Sequence, residues 1–367
     1  MDITVEREAL LKPLQAVSGV VERKQTLPIL SNVLLTIKDG RLLLTGTDLE
    51  IELVGFVRVE AMMQEGTVTV SARKLFDICR ALPEGVSIRL TLEKNNLKVR
   101  AGDSHFTLNT LSAQDFPNLE DVDYNATFSI KQTYLKNLLT KTYFAMGQQD
   151  VRHYLNGTYI DIAQNAIKCV AADGHRLALA SLYDESIGNI EAKVILPRKS
   201  VLELIRLFSS DGDERVTIHI SDNRMCFVTN DYIFTSKLIN AQYPDYKRLI
   251  PAGTSTALGE REAIKQALTR ASILSNEKFR GVRFQLETGK LRITANNADQ
   301  EQADEAVPLS YEGDSMEIGF NVAYLLDIVS AIASKSICCS FSGPNAGVLI
   351  EPEDGDDSLY VVMPMRL

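Results

Sequence analysis

No apolar run in this 367-residue chain approaches the roughly 20 residues that span a bilayer. The first stretch, MDITVEREALLK, carries charges where a signal peptide needs an apolar segment, so the protein is expected to be cytoplasmic, without a membrane partner. Cysteine is scarce: Cys79, Cys169, Cys226, Cys338 and Cys339 are odd in number and contain no C-x-x-C. The adjacent pair would face opposite sides of a strand, and all five read as reduced core thiols. Histidine is scarcer still, and His105, His153, His175 and His219 lie too far apart for ligand spacing, so no metal site is expected. A nucleophile motif, a glycine-rich phosphate loop and a paired-acid motif are all missing, which weighs against an enzyme. Basic residues are outnumbered, and the net charge of -9 argues against a protein that coats nucleic acid with its whole surface. It leaves room for a local basic face.

What the chain has is internal repetition. RLLLTGTDLE (Arg41 to Glu50), AIKCVAADGH (Ala166 to His175) and KLRITANNAD (Lys290 to Asp299) recur at a nearly constant interval, each an apolar run followed by a turn. Upstream of them, EREALLKPLQAV, QTYLKNLLTKTY and EREAIKQALTRA place apolar residues at helical spacing: Leu10, Leu14 and Val17; Leu135, Leu139 and Tyr143; Ile264, Leu268 and Ala271. Downstream, KLFDICRAL, SVLELIRLF and YLLDIVSAI repeat a second amphipathic helix and align Asp77, Glu203 and Asp327.

Each unit divides again. ITVEREALLKPLQAV followed by NVLLTIKDGRLLLTG reads strand, helix, hairpin, and VTVSARKLFDICRAL followed by SIRLTLEKNNLKVRAG reads the same way. The expected fold is α+β: six strand–helix–three-strand half-units forming three tandem two-helix domains over 1–124, 125–252 and 253–367. Linkers are expected at Ala113 to Asn125 and Ala241 to Ser255, where Pro117, Pro244 and Pro251 interrupt regular structure.

The stretch CVAADGHRLALA places an acid and a histidine two residues apart, as a general base and its orienting carboxylate would be. The repeats argue otherwise. Asp173 aligns with Asp48 and Asn297, so that position reads as a turn residue capping its own backbone, whereas His175 aligns with Glu50 and Asp299 and shares no chemistry with them.

The strings TLPILSN, LTGTDLE, QDVRHYLNG, DGHRLA, ILSNEKFRGVR, ITANN, MEIGFN and the final YVVMPMRL closely resemble those of the β subunit of bacterial DNA polymerase III, the sliding-clamp family, from end to end of the chain. The resemblance implies the DNA clamp fold: a closed head-to-tail dimeric ring with helices lining the channel, no catalytic activity and no cofactor. It implies a processivity factor that encircles duplex DNA without sequence preference. Its partners would be a second copy, the clamp loader complex, the replicative polymerase α subunit and other proteins carrying a clamp-binding motif.

Basic residues on or beside the repeated helices could face DNA: Lys12, Arg73, Lys74, Arg80, Lys136, Lys141, Arg198, Lys199, Arg206, Lys265 and Arg270. By similarity to the family, Lys24, Gln149 and Arg152 join Arg73, Arg198 and Lys199 as DNA contacts. Lys24 stands where relatives often carry arginine, which keeps the charge and loses the bidentate fork. For the partner-peptide cleft the matching positions are Leu155, Gly174, His175, Arg176, Leu177, Pro244, Arg248, Phe279, Asn321, Tyr324, Val348, Val361, Val362, Met363, Pro364, Met365 and Arg366. Such a site needs apolar pockets with a few orienting polar groups, and a methionine wall can repack around different partners. Two departures stand out: Ala172 replaces a frequent threonine, and SGPNAG (Ser342 to Gly347) aligns poorly. At the ring joint the matching residues are Lys74, Phe106, Leu108, Ile273 and Leu274, with the acid-rich DQEQADE (Asp299 to Glu305) as a source of opposite charge. Two rival readings remain, an enzyme using Asp173 and His175 and a three-domain protein-interaction scaffold that binds no DNA.

Overall fold

The structure is a computed structural model that describes residues 1–21, 27–119 and 122–366. Six α-helices occur among these residues: α1 (Arg7–Val20), α2 (Ala72–Ala81), α3 (Gln132–Thr142), α4 (Arg198–Leu207), α5 (Arg261–Ile273) and α6 (Val322–Ala331). A short strand leads into each helix and three or more strands follow it, so the six half-units occur in the expected order. The small strands Ala61–Gln64 and Ser310–Tyr311 are additions to that pattern.

The repeated apolar residues form the core. Leu10, Leu14 and Val17 of α1 are fully buried. That helix lies close on its sheet: a Cβ at Gly46 would stand 2.6 Å from the Val17 side chain, and one at Gly55 would stand 3.0 Å from Pro13. Strand Ile51–Arg58 alternates buried and half-buried residues along its length, the period of a sheet covered on one face.

Helix ends are held in a repeated way. Arg7, at the first turn of α1, donates from Nε to the Cys79 carbonyl at 2.9 Å and from a terminal nitrogen to the Arg80 carbonyl at 3.1 Å, so it caps the C-terminus of α2. Arg261 of α5 does the same for α6, donating to the Ser334 and Val329 carbonyls. In the middle repeat Gln132 takes this place, accepting the Ser209 N–H at 3.1 Å just beyond α4.

Pairing among the strands is antiparallel throughout, and it groups the chain differently from the repeats. One compact unit comprises Met1–Thr133 with Arg206–Leu238, and the other Tyr134–Ile205 with Ile239–Leu367. In the first, a 13-stranded sheet continues from strand Tyr232–Lys237 of the middle repeat into Ile51–Arg58 of the first, in register from Tyr232 opposite Gly55 to Ser236 opposite Ile51. The second contains a nine-stranded sheet in which Arg176–Tyr183 pairs with Ser358–Val362, and a four-stranded sheet ending on Gln302–Pro308. Neighbouring repeats are thus joined by backbone ladders, which satisfy strand edges that would otherwise stay open.

The turn that the repeats share is capped alike in all three, with one residue more in the third. Asp48 Oδ1 accepts the N–H groups of Glu50 and Ile51, Asp173 Oδ1 those of His175 and Arg176, and Asn297 Oδ1 those of Asp299 and Glu301, at 2.8–3.0 Å. A carboxylate or amide oxygen serves equally, which explains the Asp/Asp/Asn pattern.

Candidate functional site

The second unit carries a cavity of roughly 100 Å³ on an apolar floor. Leu155, Ala172 and Leu177 line it together with Tyr154, Tyr243, Tyr246, Pro244 and Leu249, and Arg152 and Gly174 form part of the rim. Leu155, Val170, Ala172, Leu177, Tyr246, Leu349 and Val361 make one buried cluster beneath it. The local sequence explains the placement. Strand Arg176–Tyr183 leaves the Asp173 turn with Leu177 buried, the short helical turn His153–Leu155 delivers Leu155, and the segment after strand Tyr232–Lys237 folds back to supply Tyr243 and Tyr246. Tyr243 stacks on Tyr159 with centroids 4.7 Å apart and meets Tyr154 edge-on at 6.2 Å. Gly174 has φ +90°, and a Cβ there would stand 2.8 Å from the Arg152 guanidinium. Glycine is required on both counts.

A second cluster adjoins the same end of strand Arg176–Tyr183, where Arg176 lies opposite Val362. Arg176 is almost fully buried: it donates to Asp173 at 3.0 Å, to Asp327 at 2.6 Å and to the Phe144 carbonyl at 2.6 Å, and its guanidinium stands over the rings of Tyr324 and Phe144. His175 stacks on Tyr324 at 6.2 Å. Past Val362, which pairs with both Arg176 and Val348, the chain stays extended: the Met363 N–H donates to the His175 carbonyl and the Met365 N–H to the Gly319 carbonyl. Met363 remains 44% exposed beside Gly347. The Asn321 side chain caps α6 through the Ala323 N–H and donates to the Phe279 carbonyl, holding an exposed phenylalanine nearby. Pro364 and Met365 are half-buried and Arg366 is exposed.

Electrostatics set the rim. The Arg152 guanidinium holds the Asp150 carboxyl down at about 2, through hydrogen bonds of 2.8 and 3.0 Å, and reaches the Asp173 carbonyl. Burial pushes the Tyr159 hydroxyl up to about 12 and raises that of Tyr324. Arg248 points into solvent, paired with Asp245, and lies outside the cavity lining. Burial also pushes the Cys79 and Cys169 thiols up to about 12, which suits core residues rather than nucleophiles, whereas Cys338 and Cys339 are half-buried and not the core thiols expected. Among the described residues no group of His, Cys, Asp and Glu side chains is placed to hold a metal ion, and no helix is long and apolar enough to cross a membrane.

The expected DNA contacts are spread over both units. Lys24 lies outside the described residues. Arg73 is an exposed residue of α2 with Asp77 at 3.6 Å, and Gln149 sits at φ +55° in the loop that carries Arg152. Arg198 is half-buried and donates to the Tyr143 and Met146 carbonyls, while Lys199 follows it at the start of α4. Of the expected joint residues, Lys74 is exposed, Phe106 is half-buried and Leu108 is buried on strand Ser104–Leu111, an outer strand over most of its length. Ile273, at the end of α5, is 74% exposed with Leu274 half-buried beside it.

The sequence reading missed Tyr154, Tyr243, Tyr246 and Leu249. The available signal was the pair of tyrosines flanking Pro244 in a segment read only as a linker.

Three comparisons bear on this geometry. Residues 1–120, 129–245 and 247–366 match the N-terminal, central and C-terminal domains of the DNA polymerase III beta subunit. Proteins named beta sliding clamp from Pseudomonas aeruginosa and Escherichia coli are 49% and 46% identical to the chain, with full coverage of each. A crystal structure of the Pseudomonas aeruginosa clamp bound to griselimycin superposes with a TM-score of 0.96 at 49% identity, and one from Caulobacter crescentus with 0.93 at 35%, both over all of each chain.

Proposed function

The chain belongs to the DNA polymerase III β subunits, the sliding clamps that serve the polymerase as a non-catalytic processivity factor, and on that premise we propose how its residues do the work. Two copies close head to tail into a ring around duplex DNA in the cytoplasm, each contributing domains 1–124, 125–252 and 253–367. Lys74, Phe106 and Leu108 of one copy meet Ile273 and Leu274 of the next. The exposure of Ile273 supports this, because an isolated isoleucine at a helix end gains by burial.

Lys24, Arg73, Gln149, Arg152, Arg198 and Lys199 are proposed to face the DNA backbone. Many tight phosphate contacts would bind strongly with steep salt dependence, which conflicts with sliding. Topological enclosure removes the conflict, since a closed ring needs few contacts and the net charge of -9 discourages adhesion elsewhere.

The observation that carries the reading is the apolar cavity on Leu155 and Leu177 with the extended Met363 segment beside it. It fits a short peptide of the polymerase or loader, with leucine or phenylalanine anchors and a few orienting polar groups. Loading the protein on nicked circular DNA and then linearising the circle tests the enclosure: retention on the circle and rapid loss from free ends are expected. Equal retention on linear and circular DNA, or none on either, would overturn it, the second outcome favouring the scaffold reading.

A further inference from the structure

Across the neighbouring strands from Arg176–Tyr183 to Ser310–Tyr311, one face of the nine-stranded sheet forms an open groove of about 690 Å³ that shares no lining residue with the cavity above. Its floor follows from the register. Leu179 lies opposite Leu359, Glu351 opposite Cys338, and Cys338 opposite Leu258, and residues directly opposite on paired strands share a face. Leu179, Leu258 and Leu359 are all half-buried, so the floor leaves apolar surface facing solvent. The segment after strand Val348–Pro352 makes a wall, fixed where the Ser181 N–H donates to the Asp357 carbonyl at 2.8 Å and where Lys141 donates to the Asp356 carboxylate at 2.7 Å.

Charge in the groove is one-sided. Glu351, Glu353 and Asp357 line it, no lysine or arginine does, and among the described residues none of these three acids has an ion pair. Other carboxylates on sheet strands of the same unit are paired, Asp304 with Arg292 and Glu317 with Arg283. Carboxylates beside an apolar, low-dielectric floor focus a negative field on whatever enters. Among the described residues they belong to no group placed to hold a metal ion, so the cation that suits them arrives on a flexible side chain.

We infer that this groove is a docking surface for protein partners, separate from the cleft, and that it takes a basic amphipathic segment in which a leucine-sized side chain is flanked by lysines or arginines. The apolar side chain covers Leu179, Leu258 and Leu359, while its cationic neighbours reach Glu351, Glu353 and Asp357. A purely apolar segment would desolvate the carboxylates without pairing them, and a purely cationic one would leave the leucines wet. Acidic segments are repelled, which adds discrimination. The inference stands whether or not the cleft reading does.

The test uses the full-length protein and a fluorescently labelled Lys-Leu-Arg-Leu-Lys peptide, titrated by anisotropy at low salt. Glu351→Gln with Glu353→Gln should weaken binding roughly fivefold without changing the thermal midpoint. Exchanging both leucines of the peptide for serine should weaken binding to the parent roughly tenfold. Cys338 lines the groove, so saturating peptide should slow its maleimide labelling several-fold, read by mass mapping. A parent that fails to bind the peptide, unchanged labelling of Cys338 under bound peptide, or equal affinity for the serine peptide would each overturn the assignment. So would parental affinity in a folded double variant. Should that variant unfold, the labelling and the serine peptide, both measured on the parent, decide the matter.

Discussion

Arg176 and Tyr324 form a stacked pair, with the guanidinium carbon 4.3 Å from the ring centroid, in the second unit of the chain. The arginine is also hydrogen-bonded to Asp173, to Asp327 and to the Phe144 carbonyl, so one side chain ties the shared turn to α6. Replacing it by alanine strands a largely buried Asp173 carboxylate and an unpaired carbonyl, an expected loss of about 3 kcal/mol. Lysine keeps the charge without the planar fork and should recover less than half of that. Urea denaturation of both variants measures it, and a loss under about 1 kcal/mol in Arg176→Ala would contradict the assignment.

Asp150 gives a pH test. Its folded pKa of about 2 lies below the ordinary 3.8, so the ionised form stabilises the loop above pH 4 and that contribution disappears as the pH falls through about 2. Following the Asp150 carboxyl carbon by NMR should give a midpoint near 2 in the parent and one close to 4 in Arg152→Ala. A parent midpoint near 4 would mean that the pair does not form in solution.

Arg152 also bears on DNA. Replacing Lys24 and Arg152 together by alanine should flatten the salt dependence of DNA binding while dimerisation is unchanged. An identical salt slope in parent and double variant removes both residues from the phosphate contacts.

The proposed joint can be opened by charge. Ile273→Asp with Leu274→Asp should leave a folded monomer, because Ile273 is mostly exposed within one copy. Burial of each such side chain is worth roughly 1.5 to 3 kcal/mol, and a buried unpaired carboxylate opposes it further. Sedimentation at micromolar concentration is the measurement, and a persistent dimer refutes this interface.

Truncation after Val362 removes the extended segment that Met363 and Met365 tie to His175 and Gly319. Peptide affinity should fall at least tenfold, about 1.4 kcal/mol, with the dimer intact. Undiminished affinity in a folded, truncated dimer would exclude Met363 to Arg366 from the site.

Much of this was legible in the sequence because the repeats checked one another. Asp48, Asp173 and Asn297 were read as one turn residue from their alignment alone, and all three cap their own backbones. The caps made by Arg7, Gln132 and Arg261 were not foreseen, since they reach backbone groups 72 to 77 residues away that periodicity cannot locate. The pocket tyrosines were missed for a similar reason. Tyr243 and Tyr246 lie in a segment whose proline signals a break, and only the tertiary fold turns that break back over Leu177. The grouping of strands into two units was invisible too, because pairing between Tyr232–Lys237 and Ile51–Arg58 leaves no local pattern.

Those cross-repeat ladders change what the linkers are for. At Ala241 to Ser255 the covalent chain passes from the second repeat to the third, yet the two are already stitched by the pairing of Arg176–Ala180 with Ser358–Val362. A protease that nicks the linker would therefore release nothing: the fragments should migrate together under native conditions and separate only when denatured. The amide hydrogens of Leu177 and Leu179 should exchange as slowly as those in the middle of any sheet, although the strand beside them arrives from about half the chain length away.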